Sequence, residues 1–263
     1  MKISIVQMDV VLGDRAANKE RAVAGISRSM ADSPDVVVLP ELWDLGYYPA
    51  NVLELGDPDG REARSLLGDL AARHGVHIVG GSIVRRLGDT LRNTCFVFDR
   101  TGKELAVYDK MHLFSPSGEH LHFQAGETAA VFSLDGVPCG VLICYDLRFG
   151  ELARMLALAG AEVLFAPAAW PHPRLRHWQL LCQTRAMENQ CFLAAANVSG
   201  HCGKARLAGH SQIVDPWGEV LAEAGETPEL LSARCDFSVL RDVRARMSIF
   251  ADRKPALYFL SDR

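Results

Sequence analysis

The sequence predicts an α/β fold with mixed sheets, and three features of the chain support this class. Short apolar runs rich in β-branched residues recur along it, helical patterns separate several of these runs, and turn sequences join others directly. Strands that alternate with helices are typical of α/β proteins, whereas hairpin turns join antiparallel strands, so the sheets are not purely parallel. Because no linker or shift in composition divides the chain, we expect one domain over residues 1–263.

The elements can be assigned in chain order from these patterns. The apolar runs predict strands at 3–7, 36–40, 76–84, 93–99, 137–144, 162–167, 191–198 and 211–215. Apolar residues at helical spacing predict helices at 18–30, 61–74, 151–159 and 175–189. Asp and Gly between strand-like runs predict hairpin turns in "DRTGKE" (99–104) and "DPWGEV" (215–220).

Charge and cysteine content exclude several classes of partner. The 28 Lys and Arg against 32 Asp and Glu give a net charge of -4 without a basic stripe, which argues against nucleic acid and anionic membranes. The start, "MKISIVQMDV", lacks the apolar core of a signal peptide, and no window has the roughly 18 apolar residues of a spanning helix. The 7 cysteines form no C-x-x-C pair, so we expect reduced thiols and a cytoplasmic protein.

A strand-like and a helix-like stretch meet at Cys144 in "GVLICYDLRFGELARML" (140–156). A strand-to-helix elbow presents its first side chain at the edge of the sheet, so Cys144 is a candidate nucleophile. A helix that begins near Asp146 would favour the thiolate, and the N–H of Tyr145 would face the oxyanion formed on attack. The alternative is a buried structural cysteine, since free cysteine is among the most buried residue types.

Two more strand-like runs end in or contain an ionisable residue. Glu41 follows the run in "VVVLPELWDLGYYP", and Lys110 lies in "ELAVYDKMHLF". Taken singly, they are explained equally well by a solvated glutamate after a turn and a lysine whose ammonium reaches solvent. Because ligand crevices lie at the carboxyl ends of strands, we expect the carboxylate, the ammonium and the Cys144 thiol to converge on one pocket suited to acyl transfer.

Histidine offers a different way to activate the thiol. A Cys-His dyad with His112 or His210 is the alternative to a carboxylate base. His172 and His177 lie five residues apart without a third ligand, so no metal site is predicted. A redox thiol is also disfavoured, because the neighbouring Cys139 points to the opposite face of the strand.

The chain resembles the nitrilase superfamily of carbon-nitrogen hydrolases along essentially its whole length. The resemblance lies in "ISIVQMDVVLGD", "LPELWDLGYYP", "YDKMHLF", "GVLICYDLRFGELAR", "HWQLLCQTRAMENQ", "GHSQIVDPWG" and "DRKPALY". It implies a four-layer α-β-β-α sandwich that forms a homodimer or higher homo-oligomer through a helical layer, with no cofactor. It also implies that Glu41 is the general base, Lys110 the cation at the oxyanion and Cys144 the nucleophile. A further pocket glutamate is expected to be Glu119, with Glu127 as the less favoured choice.

The segment "CYDLRF" resembles the amidase and ω-amidase branch of the superfamily. The segments "EHLHFQAGE", "APAAWPHPRLRHW" and "AGHSQIVDPWG" resemble ω-amidases that hydrolyse 2-oxoglutaramate. The distal carboxylate of such a substrate suits an arginine. Arg174 and Arg176 are the candidates, Trp170 and Tyr47 are the predicted apolar walls, and Arg148 is expected to form a structural salt bridge. The alternatives are a hydrolase of another small aliphatic amide or N-carbamoyl amine, and a catalytically idle relative that binds a metabolite or a partner protein.

Overall fold

The computed structural model describes residues 1–258, which contain 16 strands and 6 α-helices. The strands are β1 (Lys2–Gln7), β2 (Val36–Val38), β3 (Asp57–Pro58), β4 (His77–Val79), β5 (Ile83–Leu87), β6 (Thr90–Phe98), β7 (Glu104–Asp109), β8 (Ala130–Leu134), β9 (Val137–Val141), β10 (Val163–Ala168), β11 (Phe192–Asn197), β12 (His201–Cys202), β13 (Ala205–Arg206), β14 (Gln212–Val214), β15 (Val220–Glu223) and β16 (Glu229–Arg234). The helices are α1 (Arg15–Ser29), α2 (Val52–Leu55), α3 (Arg61–His74), α4 (Gly150–Leu158), α5 (Leu175–Glu188) and α6 (Phe237–Arg246).

Two large mixed sheets form the centre of the molecule. The first sheet has the order β16-β1-β2-β4-β6-β5-β3, with β7 paired to β6, and the second has the order β15-β14-β11-β10-β9-β8. Parallel pairs join β1 to β2 and β10 to both β9 and β11, whereas β6 and β7 form an antiparallel hairpin. Parallel and antiparallel pairing therefore occur in the same sheets, as the sequence predicts.

The sheets pack face to face, and helices cover their outer faces. On β1, Ile3 and Ile5 belong to the core between the sheets, whereas Val6 packs on the other side against α1. The core between the sheets also includes Phe165 and Phe192 of the second sheet, whose outer face is covered by α5. Strand residues alternate between the two faces of a sheet, so each sheet separates two apolar layers. The layer order is α-β-β-α, and the predicted four-layer fold is confirmed.

The predicted strand at 76–84 is wrong in one respect, because it is two strands, β4 and β5. Gly80 and Gly81 separate them, and Gly81 has a φ of +62°, which redirects the chain. A Cβ at Gly81 would lie 2.1 Å from the carbonyl oxygen of Pro40. The glycine therefore allows this turn to pack directly against the end of the β2 segment, beside Glu41.

The carboxyl ends of several strands position the candidate site. Glu41 follows β2, Lys110 directly follows β7, and Cys144 lies three residues after β9. None of the helices within residues 1–258 is long and apolar enough to cross a membrane.

Candidate active site

The structure brings Glu41, Lys110 and Cys144 together, as the sequence predicts. The ammonium of Lys110 lies 2.7 Å from Oε1 of Glu41, and both side chains are almost fully buried. The Glu41 carboxylate also lies close enough to the Cys144 thiol for its charge to raise the pKa of that thiol. A single carboxylate therefore contacts the cation and lies beside the sulfur.

Backbone groups from the second sheet hold the Glu41 carboxylate in place. The N–H of Ala169, just after β10, donates to Oε2 at 2.8 Å, and the N–H of Glu41 donates to the carbonyl of Ala168. On the other side, Ser82 donates its N–H to the carbonyl of Pro40 and accepts the N–H of Leu42. The turn that carries Glu41 is thus fixed from both sheets.

Glu119 completes the buried charge cluster, whereas Glu127 is exposed and lies outside it. Lys110 Nζ lies 3.0 and 2.8 Å from the two carboxylate oxygens of Glu119. The N–H of Phe114 also donates to Glu119 and holds the loop against it. Burial lowers the pKa of Lys110, but the Glu41 and Glu119 carboxylates outweigh it and hold the pKa well above its ordinary value. The lysine is therefore a permanent cation in this site.

Asn93 is a member of the cluster that the sequence analysis missed. Its Nδ2 donates to Oε1 of Glu41 at 2.9 Å and to Oε1 of Glu119 at 3.0 Å. It lies on β6, and the only signal in the sequence was a polar residue at the start of an apolar run. Such a residue at a strand end is too common to be assigned a role.

The elbow at Cys144 differs from the prediction. The residues Cys144–Arg148 form a 3₁₀ turn, and the α-helix α4 begins only at Gly150. Burial raises the pKa of the Cys144 thiol well above its ordinary value, and the Glu41 charge adds to this more than Lys110 offsets it. The expectation that a helix dipole favours the thiolate is therefore wrong, since the resting sulfur is a thiol with a carboxylate placed to take its proton.

The backbone of Cys144 is in the left-handed region, with a φ of +48°. The first N–H groups of a helical turn lack partners within that turn, so the Tyr145 N–H is suited to receive an oxyanion. Its assignment to that role stays a prediction.

A small cavity opens at Cys144. The predicted walls Tyr47 and Trp170 both line it, together with Tyr145 and Arg174. Arg176, the other predicted arginine, is exposed and does not line this cavity. The structure therefore favours Arg174 over Arg176 for contact with a ligand.

Arg148 corrects a second expectation, because within residues 1–258 it forms no salt bridge. Its guanidinium instead lies 4.8 Å above the Trp170 ring, contacts His177 at 3.2 Å and lines the cavity. Burial lowers the pKa of Arg148, and the nearby charge of Arg174 acts in the same direction. Arg148 and Arg174 thus both line the cavity at the thiol. Within residues 1–258, no carboxylate is paired with Arg148.

The histidine alternatives have other partners. His112 Nδ1 lies 2.7 Å from Asp146, and His210 Nδ1 lies 3.0 Å from Glu223. Glu41 is the carboxylate whose charge acts on the Cys144 thiol. The geometry therefore favours a carboxylate base over a Cys-His dyad.

The arrangement is suited to nucleophilic acyl transfer. The Cys144 thiol is the nucleophile, the Glu41 carboxylate the proton acceptor, and the Lys110 ammonium a fixed positive charge. Two arginines in the cavity wall favour a ligand that carries an anionic group.

Comparison with known proteins agrees with this chemistry. The family profile described as "Carbon-nitrogen hydrolase" matches residues 2–245. The chain is 44% identical to a 2-oxoglutaramate amidase of Bacillus subtilis (strain 168), with 97% of this chain and 98% of the relative aligned. It is 34% identical to omega-amidase NIT2-A of Xenopus laevis, with 100% and 98% aligned.

A solved structure, Nit3 of Saccharomyces cerevisiae, described as a member of branch 10 of the nitrilase superfamily, superposes with a TM-score of 0.88. The identity is 30%, and the alignment covers 94% of this chain and 93% of that one. Both the sequence profile and the relatives extend over nearly the whole chain, which confirms the resemblance found in the seven motifs. The chain belongs to the carbon-nitrogen hydrolase family of the nitrilase superfamily.

Proposed function

We propose that this protein is an ω-amidase that hydrolyses the terminal amide of a small substrate such as 2-oxoglutaramate to a carboxylate and ammonia. The observation that carries the proposal is the position of the Glu41 carboxylate, which contacts the Lys110 ammonium and lies beside the Cys144 thiol. The two aligned relatives named 2-oxoglutaramate amidase and omega-amidase support the same substrate class.

The first half of the reaction forms a thioester. Glu41 takes the proton of Cys144, and the thiolate attacks the amide carbon. The Lys110 ammonium and the Tyr145 N–H stabilise the tetrahedral oxyanion. When the intermediate collapses, the C–N bond breaks, and ammonia leaves with the proton that Glu41 returns.

The second half hydrolyses the thioester. Water enters where ammonia left, Glu41 takes a proton from it, and the resulting hydroxide attacks the acyl carbon. The C–S bond then breaks, the sulfur takes the proton from Glu41, and the carboxylic acid product loses its own proton to solvent and leaves as a carboxylate. Each half uses the same carboxylate first as a base and then as an acid, so no metal or organic cofactor takes part in the proposed reaction.

Glu119 acts through Lys110 in this mechanism. It accepts two hydrogen bonds from the ammonium, so it fixes where the positive charge lies relative to the sulfur. Because both carboxylates keep the lysine protonated, Lys110 serves as an electrostatic group and not as a proton donor.

Arg148 and Arg174 are proposed to bind the distal carboxylate of the substrate. The two guanidinium groups line the same cavity as Cys144, with Trp170 under Arg148 and Phe114 under Arg174. A carboxylate between them would offset the repulsion of the two like charges. This arrangement supports an amide with a carboxylate at its far end over an uncharged aliphatic amide.

The decisive experiment is ammonia release from 2-oxoglutaramate, succinamate, glutamine, an uncharged aliphatic amide and a carbamoyl amino acid. We expect the first two to be turned over fastest. Cys144→Ala should lower turnover by at least about 1,000-fold, as removal of a nucleophile does in other hydrolases. Cys139→Ala, which removes a buried thiol on β9, is the matched control and should retain activity.

Mass spectrometry tests the thioester directly. We expect a transient acyl adduct on Cys144 when substrate is mixed with enzyme and quenched in acid. Turnover by Cys144→Ala, or an adduct on another residue, would overturn the mechanism. A wild-type protein inactive on every amide would instead favour a catalytically idle relative.

We also propose that the protein assembles as a homodimer in the cytoplasm and that residues 1–263 form one domain. The outer helical layer supports the dimer, because it exposes Met155 and Leu158 on α4 and Leu180 and Met187 on α5. The free thiols of all seven cysteines suit a reducing compartment. Light scattering should give the dimer mass, and Met155→Glu with Leu158→Glu should give a monomer. Cell fractionation tests the location.

A further inference from the structure

The buried carboxylate of Asp146 joins the two chain segments that carry Lys110 and Cys144. Its Oδ1 accepts the backbone N–H of His112 at 3.0 Å and lies 2.7 Å from His112 Nδ1. Its Oδ2 accepts the hydroxyl of Tyr108 at 2.7 Å and the N–H of Ile143 at 2.8 Å. Lys110 lies between Tyr108 and His112 in the chain, and Cys144 lies between Ile143 and Asp146.

The donors to this carboxylate are well defined. A carboxylate only accepts hydrogen bonds, so His112 Nδ1 carries the hydrogen. Burial and the Asp146 charge raise the pKa of Tyr108, which keeps its hydroxyl a donor. Asp146 is fully buried, so the loss of any of these donors would not be replaced readily by water.

His112 makes a second contact with the elbow. Its ring stacks on Phe149 with a centroid distance of 3.7 Å and an interplanar angle of 9°. Asp146 lies inside the 3₁₀ turn of Cys144–Arg148, and Phe149 lies at its end. The imidazole therefore contacts this turn at Asp146 and at Phe149. His112 itself lies two residues from Lys110 in the chain.

The elbow requires such support because of its backbone. Cys144 has a φ of +48°, a left-handed conformation that is strained for a non-glycine residue. The reciprocal hydrogen bonds between Ile143 and Asp146 close the turn around Cys144. A change in the Asp146 contacts would therefore move the sulfur as well as the lysine.

We propose that His112 and Asp146 are positioning residues that set the separation of Lys110 and Cys144 for amide hydrolysis. This inference rests on the proposed function and goes beyond it, since neither residue touches the reacting atoms. His112 is not among the residues that line the cavity, so its effect acts on the chemical step and not on substrate binding.

The main test compares two substitutions of His112 in the full-length protein. His112→Phe keeps a ring against Phe149 and removes the Nδ1 donor. We expect kcat to fall by about 10- to 100-fold, because a misplacement of about 1 Å has effects of this size. KM should change by less than about threefold, as for a group that acts only on the chemical step. His112→Asn, whose amide supplies a donor near the position of Nδ1, should recover most of the lost kcat.

A second His-Asp pair provides the matched control. His77 Nε2 lies 2.9 Å from Asp135, and His77 is buried at the start of β4, at the opposite end of the parallel strands from Glu41. His77→Phe should lower the melting temperature without lowering kcat. If His112→Phe does not fold, Tyr108→Phe removes one donor from the same carboxylate and should lower kcat in the same direction with KM unchanged.

The outcomes separate this inference from the proposed function. Wild-type kcat in a folded His112→Phe variant, or an Asn variant as slow as the Phe variant, would overturn the positioning role while leaving the amidase intact. If the wild type hydrolyses no amide, the proposed function fails first, and the positioning role fails with it. A selective drop in kcat for His112→Phe, absent in His77→Phe, would support the inference.

Discussion

The side-chain amide of Asn93 donates to Glu41 with an Nδ2 to Oε1 distance of 2.9 Å, and the same nitrogen lies 3.0 Å from Oε1 of Glu119. Asn93 and Lys110 thus both donate hydrogen bonds to the same two buried carboxylates. Without this neutral donor, the lysine would be the only group within residues 1–258 that bridges the two negative charges. Asn93 therefore contributes to the electrostatics of the site without adding charge.

Substitution of Asn93 tests this relationship. A hydrogen bond to a charged group contributes about 1.5–3 kcal/mol, so we expect Asn93→Ala to lower kcat/KM by about 10- to 100-fold. Asn93→Asp should be worse, because it adds a third carboxylate to the cluster. Steady-state ammonia release provides the measurement. Asn189, equally buried but bonded to the backbone of Arg185 at the end of α5, is the control. Its alanine variant should lose stability only, and equal loss of activity in both variants would contradict the prediction.

Gly81 lies in the turn beside Glu41, and Gly88 is a control glycine with a similar φ. Both have a positive φ, +62° and +61°, but a Cβ at Gly81 would meet the Pro40 carbonyl at 2.1 Å whereas Gly88 has open space. Alanine at Gly88 should cost about 1–2 kcal/mol of unfolding free energy through its φ alone. Gly81→Ala should cost several times more and lower kcat, because the turn must move away from Glu41. Urea denaturation and kcat of the folded fraction check this. Equal effects of the two substitutions would show that the close contact is unimportant.

The sequence predicts the helices better than the strand ends. The helix at 61–74 has the predicted bounds, since its apolar spacing is regular and Gly75 ends it in a left-handed conformation. Strand β8 and its turn into β9 show what was missed. Ala130–Leu134 alternates buried and exposed residues, and Asp135 and Gly136 both have the positive φ of a hairpin turn. The pairing of β16 with β1 joins residues more than 200 positions apart, which no local pattern encodes.

The sequence predicts those residues of the site that lie at the ends of strands. Glu41, Lys110 and Cys144 each follow a strand, whereas Glu119 lies in a loop, and the four side chains occupy one cluster. The contacts of Asn93 and Arg148 depend on which elements lie side by side in the fold, which residue spacing does not reveal. The expected helix near Asp146 was wrong, because Cys144–Arg148 form a 3₁₀ turn, and burial raises the pKa of the Cys144 thiol.

The buried thiols make stability fall at alkaline pH. Burial raises the pKa of all seven cysteines in the folded protein. A group whose folded pKa is raised stabilises the protein below its unfolded pKa and loses that contribution as pH rises above it. Above the ordinary thiol pKa of about 8.5, we therefore expect the free energy of unfolding to fall as the pH rises.

Thermal denaturation from pH 7 to 10 under reducing conditions tests this dependence. We expect the melting temperature to fall steeply above about pH 8.5. Cys191→Ala should flatten the fall, because it removes one thiol whose pKa burial raises to about 12. Exposed-lysine substitutions such as Lys204→Met provide a control for general charge effects. A melting temperature independent of pH in this range would contradict the prediction.

Arg148 and Arg174 should determine the preference for a substrate that carries a carboxylate. Their guanidinium groups line the cavity at Cys144, and each stacks on an aromatic ring, which fixes both charges in place. We expect Arg148→Met and Arg174→Met each to raise KM for succinamate by about 10- to 100-fold, because each substitution removes a charge-assisted hydrogen bond to the carboxylate. KM for butyramide, which lacks the carboxylate, should change little, so lost packing against the rings can be separated from lost charge. Arg176→Met removes an exposed arginine outside the cavity and should leave both substrates unaffected. If the two cavity variants weaken succinamate and butyramide equally, the arginines support the shape of the pocket and do not bind the carboxylate.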